Sequence, residues 1–142
     1  MSQTPLRRVC ALLSLLVLVS LIGCSAIVTD DQATATYSAQ TDWGVSTVTL
    51  YSDHSFKQTV TPKNGTPKQI NGIWTLKRSS GSPVYTTIEF MPFLNTTHDK
   101  QGVYTFASVF SIYHVPFGGI NIAADPEYGI AYRKTGQNPA SK

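Results

Sequence analysis

Residues 46–60 read STVTLYSDHSFKQTV. Val48 and Leu50 alternate with Thr47 and Thr49, a period of two that places one set of side chains on each face of a strand. Ser52 and Asp53 follow, and such side chains bond neighbouring backbone groups, which favours a turn. The alternation then resumes with Phe56, Gln58 and Val60. The stretch therefore predicts a β-hairpin, and the rest of the chain extends the same pattern.

On the C-terminal side, residues 61–68 (TPKNGTPK) place Asn64-Gly65 at a loop tip. Asn-Gly accepts the positive φ angles of a tight hairpin turn. Pro62 and Pro67 lack a ladder donor, so both arms of the loop are expected outside a central sheet. INGIWTLK then offers Ile70, Trp74 and Leu76 to the core, and RSSGSP turns the chain. VYTTIEF sets Ile88 and Phe90 opposite Glu89, which is expected to face solvent. MPFLNTTHDKQG reads as a longer irregular connection.

In residues 103–117, VYTFASVFSIYHVPF, the even positions Tyr104, Phe106, Phe110 and Ile112 form a heavy stripe, with smaller Val103, Ala107 and Val109 opposite. β-Branched and aromatic residues favour a strand here over a helix. GGINIAADPEYGIAYRK reads as two short strands around Asp125–Gly129. About seven strands with short turns predict an all-β domain over 42–135. The expected architecture is a single antiparallel meander, forming a sandwich or a partly closed barrel. Residues 136–142 are expected to be a disordered tail.

On the N-terminal side the pattern differs. Arg7 and Arg8 precede Val9–Ile22, which carries no charge and is shorter than the roughly 20 residues a membrane-spanning helix needs. A basic start, a short apolar centre and small residues afterwards make a secretory signal peptide, helical in its apolar part. The segment ends in Leu21-Ile22-Gly23-Cys24. LIGC resembles the lipobox of bacterial lipoprotein precursors. The resemblance implies removal of residues 1–23, with cleavage between Gly23 and Cys24 and a diacylglyceryl group on the Cys24 sulfur, often with acylation of the new amino group. Two or three acyl chains give lasting attachment where one holds only marginally. It also implies a cell-envelope location. Ser25 in place of an aspartate leans toward the outer membrane where the envelope has two.

Residues 24–41, mostly small and polar, then read as the lipidated N-terminus and a flexible tether that joins the sheet near Thr36. It would hold the domain roughly 20 Å from the lipid. With residues 1–23 removed, nine Lys+Arg face eight Asp+Glu, so the apparent basicity largely disappears. No Lys/Arg cluster tracks a phosphate backbone, which argues against nucleic acid as a partner. Cys10 leaves with the signal and Cys24 carries lipid. No thiol then remains for a disulfide, a metal or a nucleophile.

His54, His98 and His114 form no metal-ligand spacing, and no Gly-x-Ser-x-Gly elbow occurs. No catalytic residue, metal or cofactor is expected beyond the covalent lipid. Trp74, Tyr104, Phe106 and Phe110 could form an aromatic face for an apolar molecule, although core packing also accounts for such residues. Asn71-Gly72-Ile73-Trp74 is similar to the Gly-x-Trp of lipocalins, but follows at least two strands here where that family has it on the first. TLYSDHSFKQTV, NGIWTL and GGINIAADPEYGIAY resemble small envelope lipoproteins of unassigned role. The expected function is a lipid-anchored, non-catalytic module binding an envelope protein or a small apolar ligand. The alternatives are an inhibitor or immunity lipoprotein acting on a toxin or hydrolase, and an envelope enzyme using His98-Asp99 or His114.

Overall fold

The computed structural model describes residues 27–136, apart from 82, 98–99, 117–118, 126 and 128. The signal segment, the Gly23–Cys24 junction, His98, Asp99, Phe117 and the tail 137–142 lie outside the described residues. A single-turn helix, α1 (Asp30–Ala33), precedes ten strands. These are β1 (Thr36–Gln40), β2 (Gly44–Leu50), β3 (Ser55–Pro62), β4 (Lys68–Arg78), β5 (Thr86–Met91), β6 (Phe93–Thr97), β7 (Lys100–Thr105), β8 (Ser108–Val115), β9 (Gly119–Asp125) and β10 (Ile130–Lys134).

The all-β antiparallel expectation holds, and the sheet closes fully. Eight strands form a barrel in the order β1-β10-β9-β8-β5-β4-β3-β2, while β6 and β7 make a separate two-stranded hairpin. The opening hairpin is present as read: β2 pairs with β3 from Gly44↔Pro62 to Leu50↔Phe56. Pro62 is the last residue of β3, where its missing donor interrupts no further ladder. Closure comes from β1, which pairs with β2 on one side and with β10 on the other through Tyr37↔Lys134 and Ser38↔Arg133.

Alternation decides which side chains fill the interior. Tyr37, Val48, Leu50, Phe56, Trp74, Ile88, Phe90, Ile112, Ile122 and Tyr132 are all buried. Fully burying such a side chain contributes about 1.5–3 kcal/mol. An eight-stranded barrel is just wide enough for side chains to fill it. The Gly-x-Trp pair, Gly72 and Trp74, lies on the fourth strand, and Trp74 is core.

Three expectations need correction. The connection read as irregular, 91–102, contains β6 and β7, which pair from Phe93↔Thr105 to Thr97↔Lys100. Its period was hard to see because Phe93 and Leu94, which are consecutive, are both buried. The strand read across 103–117 is two strands. Thr105 Oγ1 donates to Phe93 O at 2.8 Å and lies 3.0 Å from Ser108 Oγ, fixing a break at Phe106-Ala107. Finally, the tether read over 24–41 differs from Ile27 onward, where the chain packs against the barrel.

That packing closes one end. Thr29 caps α1: its hydroxyl accepts from Gln32 N, while Gln32 Oε1 accepts from Thr29 N at 3.0 Å, a reciprocal capping box. Val28, Ala33 and Ala35 are buried. Val28 N donates to Thr86 Oγ1 at 3.2 Å, Tyr37 Oη to Ala33 O at 2.7 Å, and Leu50 N to Ala35 O at 2.8 Å. The β6–β7 hairpin closes the opposite end, with β6 touching β3, β4 and β9.

Candidate binding surface

The four aromatic residues singled out from sequence do not share a face. Trp74 is buried inside the barrel, its Nε1 donating to Tyr51 O at 3.1 Å and its ring 4.8 Å from that of His54. Phe110 is half-buried against the core, with ring centroids 6.0 Å from Phe90 and 5.2 Å from Phe93. Tyr104 and Phe106 are 62 % and 76 % exposed. The stripe divides because the break at Phe106-Ala107 separates β7, in the hairpin, from β8, in the wall.

The interior aromatics pack on one another. Phe90 stacks on Phe93 at 4.9 Å, and Phe56 meets Phe90 edge-on at 5.0 Å. Rings that could have lined a cavity instead fill it. Beside them lies a buried polar group. Gln58 Nε2 donates to Leu94 O and Gln58 Oε1 accepts from Leu94 N, both at 2.8 Å. One side-chain amide thus supplies the two bonds that a neighbouring strand would supply. Tyr132 Oη donates to Ser46 Oγ at 2.8 Å and lies 2.5 Å from Thr96 Oγ1. Burial pushes the Tyr132 phenol up, only partly offset by these hydroxyl bonds. Among the described residues no histidine or carboxylate joins this group, whose bonds latch the hairpin to the wall.

Outside, exposed apolar side chains occur on the wall and on the hairpin. Ile73 pairs with Met91, and Glu89 pairs with Val109 in the next row of the same outer face. Ile73 and Val109 are each 57 % exposed. Phe106, Tyr104 and Val103 continue this exposed apolar character onto the hairpin. Glu89 does face outward as read, and Lys77 forms an ion pair with it. The clue in sequence was Ile73, an aliphatic at the alternate of the core position Trp74.

Polar surface chemistry lies elsewhere. A concavity of about 420 Å³ on the outer wall is lined by Tyr51, Asp53, Ser55, Lys57, Gln69 and Asn71. The Ser55 hydroxyl, and then its amide, hold the Asp53 carboxyl below its usual value. A second, of about 380 Å³, lies against β1 and β10. His54 Nε2 is 3.2 Å from Asp30 Oδ2 and His114 is half-buried in β8. Among the described residues no three His, Cys, Asp or Glu gather closely enough to hold a metal ion.

No known family matches this chain. Family models, curated proteins and solved structures all fail to match it.

Proposed function

We propose that the protein is a lipid-anchored cell-envelope lipoprotein whose barrel is a non-catalytic module for binding another envelope protein. Cleavage falls between Gly23 and Cys24, and Cys24 carries the lipid. The observation that carries the binding role is the exposure of large apolar side chains on the wall and the hairpin, Ile73, Val109, Tyr104 and Phe106 among them. Aromatic anchors of this kind dominate protein interfaces, and contiguous exposed apolar surface marks such contacts. Two features favour a protein over a small apolar ligand: the aromatic core is filled, and this surface is on the outside. Its position also fits anchoring, because the chain reaches the barrel at Val28, at the opposite end. A lipid on Cys24 leaves the hairpin end pointing away from the bilayer.

Two experiments test this reading. Cys24→Ala should leave an uncleaved precursor that still begins at Met1 and carries no lipid mass, whereas wild type should begin at Cys24, carry acyl chains and partition into detergent. Wild type recovered in the aqueous phase would remove the anchor. For the binding role, the Tyr104→Glu, Phe106→Glu double variant, lipidated and folded, should lose the crosslinked protein partner recovered with wild type from intact envelopes. An unchanged crosslinking pattern would remove the hairpin as the docking surface.

A further inference from the structure

We propose that Val84 and Tyr85, just before β5, are a membrane-contact surface, resting on the interface of the bilayer that holds the Cys24 lipid. This rests on the lipid-anchored reading and adds an orientation to it. The starting observation is how little chain separates lipid from fold. Cys24 lies three residues before Ile27, and a fully extended chain covers at most about 11 Å in three residues. Ile27 is followed by buried Val28, whose amide is bound to Thr86 Oγ1. Between hydrocarbon and water lies a headgroup layer of only about 5–8 Å per leaflet. A barrel attached this closely must touch the surface, and the fixed point near Thr86 decides which part touches first.

The residues at that point suit the contact. Thr86 is preceded by Val84 and Tyr85, which are 42 % and 53 % exposed although apolar in body. Tyrosine favours the membrane–water interface, where its ring is shielded and its hydroxyl stays wet. The loop that presents them is braced. Ser79 N donates to Tyr85 O at 3.0 Å, and Tyr85 N to Ser79 Oγ at 2.9 Å. Arg78, paired with Thr86 across the ladder, is exposed beside them and supplies a cation toward lipid phosphates. Two carboxylates of this barrel end, Asp30 and Asp53, lie toward the β2–β3 turn. From Thr86 the chain crosses the end to α1, where Asp30 meets His54, and Asp53 lies in the adjoining turn. The β4–β5 rim thus offers apolar side chains with a cation beside them, at the end that the anchor pulls down.

The test uses the mature lipidated protein, which after processing holds no free thiol. A fluorophore is placed on Tyr85→Cys and, separately, on Lys63→Cys in the β3–β4 loop at the hairpin end. Each protein is reconstituted in vesicles of phosphatidylethanolamine and phosphatidylglycerol, with and without nitroxide-bearing lipid. The label at 85 should lose most of its emission to the nitroxide and the label at 63 almost none. Vesicle flotation with no quenching at 85, or with stronger quenching at 63, would overturn the orientation while leaving the anchor standing. A protein that neither floats nor carries lipid mass on Cys24 would overturn the anchor, and the docking with it. If Tyr85→Cys misfolds by circular dichroism, Val84→Cys gives the same readout.

Discussion

The two ends of the barrel are sealed by different means. At the N-terminal end much of the seal is short-range, with the Val28 N to Thr86 Oγ1 bond as a long tie to the wall. The capping box of α1 spans the four residues Thr29 to Gln32, the Tyr37 hydroxyl reaches back four residues to Ala33, and the buried side chains are the small Val28, Ala33 and Ala35. At the hairpin end the seal is long-range. Gln58 binds Leu94, 36 residues away, and Tyr132 binds Ser46, 86 residues away. Phe93 is set among Phe56, Phe90, Phe110 and Tyr132. A local seal can loosen without moving the wall. The hairpin seal ties together strands that otherwise meet only through the barrel, so its loss should cost much more.

Each end contains one buried tyrosine, and alkaline pH addresses both together. Burial raises the phenols of Tyr37 and Tyr132 above their usual value of 10.0. A raised phenol keeps its proton in the fold at a pH where the unfolded chain has released it. The folded state then binds more protons, so stability is intact below about pH 10 and falls as pH climbs beyond it. The largest effect expected is therefore cooperative alkaline unfolding, followed by circular dichroism and phenolate absorbance. Tyr37→Phe and Tyr132→Phe should each flatten the decline, and the double variant should flatten it most. An unchanged slope in the double variant would mean that these two phenols do not control it.

Next in size is Gln58→Leu, which keeps the bulk and removes the latch. Leu94 N–H and C=O are then left buried without partners, at about 1–3 kcal/mol each. Urea unfolding should show a loss of about 2–6 kcal/mol, and hydrogen exchange should speed up first at the Leu94 amide. A loss below about 1 kcal/mol, within the range of a single exposed bond, would show that the hairpin is held by its aromatic contacts alone.

The contrast between the ends also explains what could be read from sequence. Val48, Leu50, Phe56, Ile88 and Phe90 lie in strands with one wet face, so alternation exposed them and with them the all-β antiparallel fold. Full closure was not legible, because no local pattern states that β1 meets β10. The hairpin was missed because Phe93 and Leu94 are embedded on successive residues, which erases the period of two. Gln58 was visible as a core-facing position, yet its partner, a backbone amide 36 residues distant, leaves no trace in the chain. The aromatic stripe failed for a related reason: the Thr105–Ser108 bond that splits it is tertiary in effect and contains no glycine or proline to announce a turn. The candidate surface was half legible. Tyr104 and Phe106 were named, but the outward placing of Ile73 and Val109 is set by pairing within the barrel.

The smallest effect belongs to the local seal. Thr29→Ala removes the hydroxyl that accepts from Gln32 N at 3.4 Å, and losing such a cap costs about 1 kcal/mol. Because α1 is a single turn, that loss should appear as local opening. Exchange should quicken at Ala33 and Thr34, whose amides donate to Thr29 O and Asp30 O, while the wall amides stay protected. If Thr29→Ala instead lowers global stability as much as Gln58→Leu, then α1 is a structural strut, and the two ends are equivalent after all. If exchange quickens only within 27–35, the N-terminal end is a lid that yields separately. A lid of that kind yields on its own while the hairpin end keeps its shape.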